Sequence, residues 1–139
     1  MWRKSHSAKI EGVSAEKVWK VWADVNQWNV WQDDIDYAKM EGRFQAGNKF
    51  LLKPKGGPKV NIEILEAVEN RGFIDLTRFP FARMYGSHQF TEKNGVLEME
   101  TSISIEGPLA FLWKKIVAED IVKKLPEQTA ALIKRAQNV

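Results

Sequence analysis

The stretch that decides the fold is residues 83–106, which read RMYGSHQFTEKNGVLEMETSISIE. At its centre, Asn94-Gly95 is the strongest two-residue turn signal, because a type I′ turn needs a positive φ at both central positions. The segments on either side, 83–92 and 96–106, have the length and composition of strands. The sequence therefore predicts an antiparallel hairpin here.

The register that this turn sets sorts the hairpin side chains by polarity. One face receives only pairs that are apolar or small, apart from a single histidine–threonine pair. These pairs are Phe90–Met99, His88–Thr101, Gly86–Ile103 and Met84–Ile105. The opposite face is polar throughout, and a slip of one residue would scramble the sorting. We therefore predict a sheet with one buried face.

Working outward, the rest of the chain up to residue 106 also reads as strands separated by turn signals. Residues 2–11 alternate in polarity and predict a first strand. Ser14 is a good helix N-cap, and two short helices are expected after it, the second carrying Trp28 and Trp31. Four further strands are predicted at 36–43, 48–55, 59–68 and 72–79. With the hairpin, the sheet has about seven strands.

The segment from Leu109 to Gln137 is predicted to be helical, but its apolar stripe changes direction along the way. One straight helix cannot turn both stripes towards one sheet. We therefore expect a short helix at 109–117, a break or kink near 118–120, and a long helix to about residue 137. Pro126 is expected to kink the long helix, because proline lacks the N–H group that the helix needs.

Composition limits the function classes. The 139 residues fit a single domain, 1–139. The absence of cysteine excludes disulfides, thiolate catalysis and Cys-ligated zinc. With only two histidines, neither a metal nor a cofactor is expected. A net charge of +3 is too small to indicate nucleic-acid binding. No signal peptide or membrane span is recognisable, so a cytoplasmic protein without stable membrane insertion is expected.

Four local motifs are similar to those of a known family. They are VSAEKVW at 13–19, WNVW at 28–31, MEGRF at 40–44 with Gly47, and GPL at 107–109. Over about residues 7–136 the chain resembles the START-like helix-grip (SRPBCC) superfamily, in the polyketide cyclase/dehydrase and lipid-transport branch. The resemblance implies an α+β fold in which a curved antiparallel sheet wraps around a long C-terminal helix. It also implies an elongated hydrophobic cavity between the two.

His88 and Arg78 are the main candidates for chemistry. The hairpin register points His88 inward, where a neutral imidazole can donate, accept or transfer a proton. The alternative is a structural histidine whose hydrogen bond is made with Thr101. Arg78 alternates with Ile74 and Leu76, so it is predicted to face inward and bind a carboxylate or phenolate. Its alternative is a solvated position near the strand end.

Other residues are predicted to line the ligand site. They are Thr101, Phe90, Met84, Met99, Trp28, Trp31 and Trp113. The two tryptophans of the WNVW motif either cap the mouth of the cavity or anchor the short helix. The aromatic residues around Pro80 either form an exposed gate or contact site, or pack against the end of the long helix.

Three functions are compatible with these predictions. The first is binding or transport of a hydrophobic small molecule, lipid-like or polyketide/aromatic, in the cavity. The second is a polyketide cyclase or dehydratase with His88 as general acid/base, so whether the protein is an enzyme stays open. The third is a protein-interaction module with a filled cavity, which leaves a protein partner open. The sequence contains no G-x-S-x-G, P-loop or G-x-G-x-x-G motif.

Overall fold

The computed structural model describes all of residues 1–139, and its elements follow the predicted order of strand, two short helices, six strands and a long helix. The strands are β1 (Trp2–Glu11), β2 (Ile35–Lys39), β3 (Lys49–Pro54), β4 (Val60–Val68), β5 (Gly72–Phe79), β6 (Ala82–Lys93) and β7 (Val96–Glu106). The helices are α1 (Ala15–Ala23), α2 (Trp28–Trp31), α3 (Ala110–Trp113) and α4 (Glu119–Gln137). A 3₁₀ turn at Val25–Gln27 joins α1 to α2.

The seven strands form one antiparallel sheet in the order β1-β7-β6-β5-β4-β3-β2. From β2 to β7, strands that follow one another in the chain are neighbours in the sheet. The exception is β1, which pairs with β7 rather than with β2. Register shifts in β2, after Ile35, and in β4, after Ile64, interrupt the ladder. Such irregularities bend a strand and increase its twist, which suits a curved sheet. The prediction of about seven antiparallel strands is confirmed.

The hairpin of β6 and β7 has the predicted register at every position. Asn94 and Gly95 have φ values of 54° and 80°, and Lys93 pairs with Val96. His88 lies opposite Thr101, as expected. The inward side chains of this hairpin are buried, so the polarity sorting gave the correct face.

The first helix also begins as predicted. The hydroxyl oxygen of Ser14 accepts a hydrogen bond from the backbone N–H of Lys17 over 3.2 Å. This satisfies one of the amide groups that a helix N-terminus leaves free. The buried face of α1 contains Val18, Val21 and Trp22, and it packs against α4 and the sheet.

The C-terminal helix differs from the prediction, because it has no break at residues 118–120. The chain is helical without interruption from Ala110 to Gln137, and Pro126 lies within α4. A π segment at Lys114–Ala118 joins α3 to α4. A π turn holds one residue more than an α turn, so it rotates the stripe that follows. The change of stripe direction is therefore taken up inside one continuous helix rather than at a break.

The apolar core is divided into two clusters. The larger one joins α1, α2 and the end of α4 to one end of the sheet, and includes Phe73, Phe90 and Met99. The smaller one lies at the other end of the sheet. It contains Ala82, Met84, Ile103, Ile105, Ala118 and Leu125. Partly buried Phe79 and Trp113 pack against the smaller cluster.

Candidate functional site

A band of polar side chains separates the two apolar clusters. On β5, β6, β7 and α4, the inward positions change from one cluster to polar residues and then to the other cluster. We call these residues the polar band: Asp75 and Thr77 on β5, His88 on β6, Thr101 on β7 and Thr129 on α4. Four of these five residues are buried, and the side chain of the fifth, Asp75, is 15% exposed. Buried polar groups are costly unless they are paired, so the band marks a position with a specific role.

The centre of the polar band is an aspartate–histidine pair. Nε2 of His88 lies 3.0 Å from Oδ2 of Asp75, and the two side chains are 10% and 15% exposed. They come from neighbouring strands, and Asp75 lies opposite Gly86, two residues before the histidine. A carboxylate that accepts from one ring nitrogen fixes the orientation of the imidazole. The partner of His88 is thus Asp75, not Thr101 as the structural alternative predicted.

Two glycines make room for this pair. A Cβ atom at Gly86 would lie 2.7 Å and 2.8 Å from the two carboxylate oxygens of Asp75. Gly72 has a φ of 142°, and a Cβ atom there would collide with the backbone carbonyl of His88. Gly72 therefore needs to be a residue without a side chain, whereas a side chain at position 86 would have to displace the carboxylate of Asp75.

The second ring nitrogen of His88 has no partner. Nδ1 is fully buried, and so is Nε1 of Trp22; neither makes a hydrogen bond within the chain. The two rings are neighbours, with centroids 4.9 Å apart. An unpaired buried polar atom loses its hydration without compensation. Two buried nitrogen atoms without hydrogen-bond partners therefore lie on adjacent rings in the interior.

Aromatic rings surround this point. His88 stacks on Phe73 with a centroid distance of 4.3 Å and an angle of 15°. Trp22 makes edge contacts with Trp28, Trp31 and Phe73 at 5.2–5.4 Å. Edge contacts of this kind are favourable beyond the area they bury. These rings form an aromatic box around the imidazole.

The predicted lining residues are divided between the two clusters. His88 and Thr101 lie opposite each other in the polar band, as predicted. Phe90, Met99 and Trp28 belong to the larger cluster, with Trp31 packed against it. Met84 and Trp113 belong to the smaller one. These residues therefore flank the polar band on both sides and do not form one surface.

The tryptophans of the WNVW motif have different environments. Trp28 is buried, and its Nε1–H donates to the backbone oxygen of Trp22 over 3.0 Å. It thus anchors α2, which was one of the two alternatives. Trp31 is partly exposed and touches Trp22. Trp113 stacks on Phe79 and donates to the backbone oxygen of Pro80, which ties the long helix to the β5–β6 turn.

The prediction that Arg78 faces inward is wrong. It does alternate with Ile74 and Leu76, but these three residues lie on the outer face of β5. The side chain of Arg78 is 61% exposed and forms a 3.5 Å ion pair with Glu63. The reason is the register of the β5–β6 hairpin, which places Phe73 opposite His88 and so turns the even-numbered positions of β5 outward.

Two recesses of the molecule lie outside the polar band. One of about 500 Å³ is lined by residues of β1, β6 and β7, among them exposed Lys9, Gln89 and Glu98. Another of about 360 Å³ is lined by residues of the β3–β5 region, including Lys49 and Arg78. Neither is lined by a residue of α4. The elongated cavity implied by the family resemblance therefore stays a prediction, and aromatic rings occupy the space around His88.

Several residues of the site were not predicted from the sequence. Asp75, Gly86 and Trp22 were not among the candidate site residues. The turn at Pro80-Phe81, where Phe79 pairs with Ala82, is the signal that would have found the first. A two-residue turn there sets Asp75 opposite Gly86, on the same face as the histidine.

Comparison with solved structures identifies the fold. Over 99% of this chain and 86% of the other, it is similar to hypothetical protein jhp0584 from Helicobacter pylori, with 13% identity and a TM-score of 0.72. Ara h 8.0201 matches 99% of this chain over 100% of its own length, with 14% identity and a TM-score of 0.72. The di-domain ARO/CYC StfQ from the steffimycin biosynthetic pathway matches 98% of this chain over 50% of its own length, with 10% identity and a TM-score of 0.66.

These matches confirm the predicted helix-grip fold. No family model matches the sequence, and no curated protein does so significantly. None of the helices has both the length and the apolar character needed to cross a membrane.

Proposed function

We propose that this helix-grip protein binds a hydrophobic small molecule in its interior, between the sheet and α4, with a polar group of the ligand at His88. The observation that carries the proposal is the pair of buried, unpartnered nitrogen atoms on His88 and Trp22. Ligand sites combine apolar walls with a few placed polar groups, and the aromatic box around these atoms has that composition. One structural neighbour, the ARO/CYC StfQ from the steffimycin biosynthetic pathway, supports this use of the fold.

The aromatic packing limits how a ligand can enter. Trp22 already contacts Trp28, Trp31 and Phe73, so a ligand must be small or must displace a ring. Trp31 is the most exposed of these rings, and α2, which carries it, spans only four residues. A helix of a single turn is not stable through its own backbone hydrogen bonds, so it depends on the packing of its two tryptophans. We therefore place the entry route beside α2.

Native mass spectrometry tests the binding proposal. The purified protein is incubated with a panel of fatty acids, sterols and polycyclic aromatic compounds, and mass additions are recorded. We expect at least one apolar class to bind one-to-one. His88→Leu should weaken that complex, whereas Ser87→Ala, next to it on the outer face, should not. A protein that retains no compound of any class contradicts the proposal.

A second candidate function is proton transfer, because the Asp75–His88 pair leaves one imidazole nitrogen free. In a cyclase or dehydratase acting on a polyketide-like substrate, Nδ1 of His88 would remove a proton from carbon and return it to the departing hydroxyl group. Positioned acid–base groups contribute about 10²–10⁴-fold to rates. Asp75 would orient the ring and stabilise the imidazolium.

Loss of water from a β-hydroxy ketone, followed by chromatography, tests this second function. If the protein accelerates the reaction, His88→Ala should lower the rate by at least about 100-fold. Ser87→Ala, on the outer face of β6, serves as the control. An accelerated reaction that is unchanged by His88→Ala rules out the mechanism.

A third candidate, an interaction module, is favoured by an apolar surface at the end of the molecule where α3 meets the β5–β6 turn. Exposed side chains here are Phe81, Phe111, Leu112 and Ile116. Phe81 is 72% exposed and has a φ of 58°, which is unfavourable for a bulky residue. Such a residue contributes little to the core and is held in a strained conformation, which points to a role in contact.

Self-association is the first test of this surface. Sedimentation equilibrium is measured for the wild type and for Phe81→Asn/Phe111→Ser. If the surface binds a second copy, the wild type should dimerise and the double variant should be monomeric. Asparagine tolerates a positive φ, so the variant should remain folded. Equal association of both proteins excludes this surface as the contact.

A further inference from the structure

The two unpartnered atoms of the interior site have opposite hydrogen-bonding roles. Nε1 of Trp22 can only donate. The carboxylate of Asp75 can only accept, so the hydrogen of the neutral imidazole lies on Nε2 of His88, 3.0 Å from Oδ2. Nδ1 of His88 is then a lone-pair acceptor. The site thus presents one donor and one acceptor on rings whose centroids are 4.9 Å apart.

Both groups are kept buried without compensation inside the chain. His88 is 8% exposed and Trp22 is 3% exposed, and the two nitrogens are among only four buried side-chain atoms that have no partner. Each unmade hydrogen bond costs about 1–3 kcal/mol. A single bound group that serves both atoms would remove both costs.

We infer that the interior site takes a neutral hydroxyl compound, an aromatic alcohol of the phenol class, whose oxygen accepts from Trp22 and donates to His88. A hydroxyl group is both donor and acceptor. A carboxylate has no hydrogen for Nδ1 and would add a negative charge close to Asp75. A ketone would leave Nδ1 unpaired, and a hydrocarbon would leave both atoms unpaired. The inference rests on the proposed binding function and specifies its ligand class.

The surroundings favour a flat, aromatic body for the ligand. The imidazole is already stacked on Phe73 at an angle of 15°, and Trp22 contacts its neighbours by edges. Aromatic ligands can replace these contacts one for one. A flexible alkyl chain would have to order itself within the box, which costs entropy.

Four probes with the same ring body separate the ligand classes. They are 2-naphthol, 2-acetylnaphthalene, 2-naphthoate and naphthalene. Each is titrated into ¹⁵N-labelled protein, and the indole N–H signals of the six tryptophans are followed; Trp22→Phe assigns the signal of Trp22. We expect 2-naphthol to shift that signal and to bind at least about tenfold more tightly than the others, a difference of about 1.4 kcal/mol.

Two variants test the roles of the donor and the acceptor. Trp22→Phe keeps an aromatic ring but removes the N–H donor. Asp75→Asn removes the charge that fixes the imidazole tautomer and leaves the size of the side chain unchanged. Each should reduce the preference for 2-naphthol over naphthalene to within about threefold. Ser87→Ala is the matched control on the outer face, and circular dichroism verifies that each variant is folded.

The outcomes distinguish this inference from the binding proposal. If naphthalene or 2-naphthoate binds at the Trp22 signal as tightly as 2-naphthol, the interior site stands and the hydroxyl inference is overturned. If no probe moves the Trp22 signal, the hydroxyl inference is overturned, and the binding proposal is then decided by the native mass spectrometry panel alone. A cross-peak from this indole to a resident water that no probe displaces also overturns the inference, because the water then fills the role assigned to the ligand.

Discussion

Gly86 is the residue whose smallness holds the site together. Its hydrogen atom faces the carboxylate of Asp75, and a methyl group there would lie within 3.0 Å of three atoms of that carboxylate. We expect Gly86→Ala to push Asp75 away from His88 and to lower the free energy of unfolding by about 1–3 kcal/mol, as overpacking does. Urea denaturation measures the loss of stability, and the ¹⁵N shifts of His88 report the broken hydrogen bond.

Ser87→Ala is the control for this glycine, because Ser87 is adjacent but faces outward. Its hydroxyl only accepts a hydrogen bond from the exposed side chain of Gln89. We expect a change of no more than about 0.5 kcal/mol. If Gly86→Ala is as stable as this control and leaves the His88 shifts unchanged, the carboxylate does not depend on the space above Gly86.

Tyr85 gives the outer face of the sheet a pH dependence. Burial, and then the hydrogen bond that its hydroxyl donates to Glu106, raise the pKa of Tyr85. A raised pKa means that the folded state favours the neutral phenol. The resulting stability is fully present below pH about 10 and is lost as the pH rises through the folded-state pKa. Tyr85→Phe should therefore flatten the decline of stability in alkali, measured by urea unfolding between pH 8 and 11.

The sequence predicted the inward position of His88 but not that of its partner Asp75. His88 was placed inward because β6 and β7 sort polar from apolar residues. β5 does not sort them, since its inner Phe73 and outer Leu76 are both apolar. Alternation alone therefore could not decide which face Asp75 and Arg78 share. The pairing of β5 with β6 decides which face these residues share, and the two-residue turn at Pro80-Phe81 sets that pairing.

The π segment of the C-terminal helix left a signal in the sequence, the change in direction of the apolar stripe, but that signal did not identify a π segment. A stripe that changes direction fits a break and a one-residue insertion equally well. The structure contains the insertion, at Lys114–Ala118, so the helix remains continuous. It lets Trp113 reach Phe79 and Pro80 while Leu125 and Leu132 pack on the sheet.

Deletion of Lys115 tests what this π segment does. A π turn takes up one residue more than an α turn, so one residue fewer restores α geometry and leaves the orientation of α3 relative to α4 nearly unchanged. Trp113 should still stack on Phe79 and donate to Pro80, and we expect the free energy of unfolding to change by no more than about 1 kcal/mol. Deletion of Lys123, an exposed residue within the regular turns of α4, is the control: it rotates the preceding helix by about 100° and should lower the free energy of unfolding by about 2–4 kcal/mol. Equal losses in the two deletions would show that the π segment does not absorb an extra residue.

For the whole molecule, the order and pairing of elements were predictable because strong local signals agree with one another. The Asn94-Gly95 turn, the alternation in β1 and the Ser14 cap each favour the same sheet and helix arrangement. The division of the core into two apolar clusters could not be predicted from the sequence. It arises because β5, β6, β7 and α4 each place a polar residue at the same level, and this level depends on register and helix rotation together.

Because the polar band lies between the two core clusters, a ligand bound there should stabilise the entire domain. A ligand that binds only the folded state at a hundred times its Kd adds about 2.7 kcal/mol. For a chain of 139 residues, each kcal/mol raises Tm by about 2–4 °C. Saturating 2-naphthol should thus raise the Tm measured by calorimetry by roughly 5–10 °C. The same concentration should have much less effect on Asp75→Asn, and an equal rise in both proteins would place the bound naphthol away from the polar band.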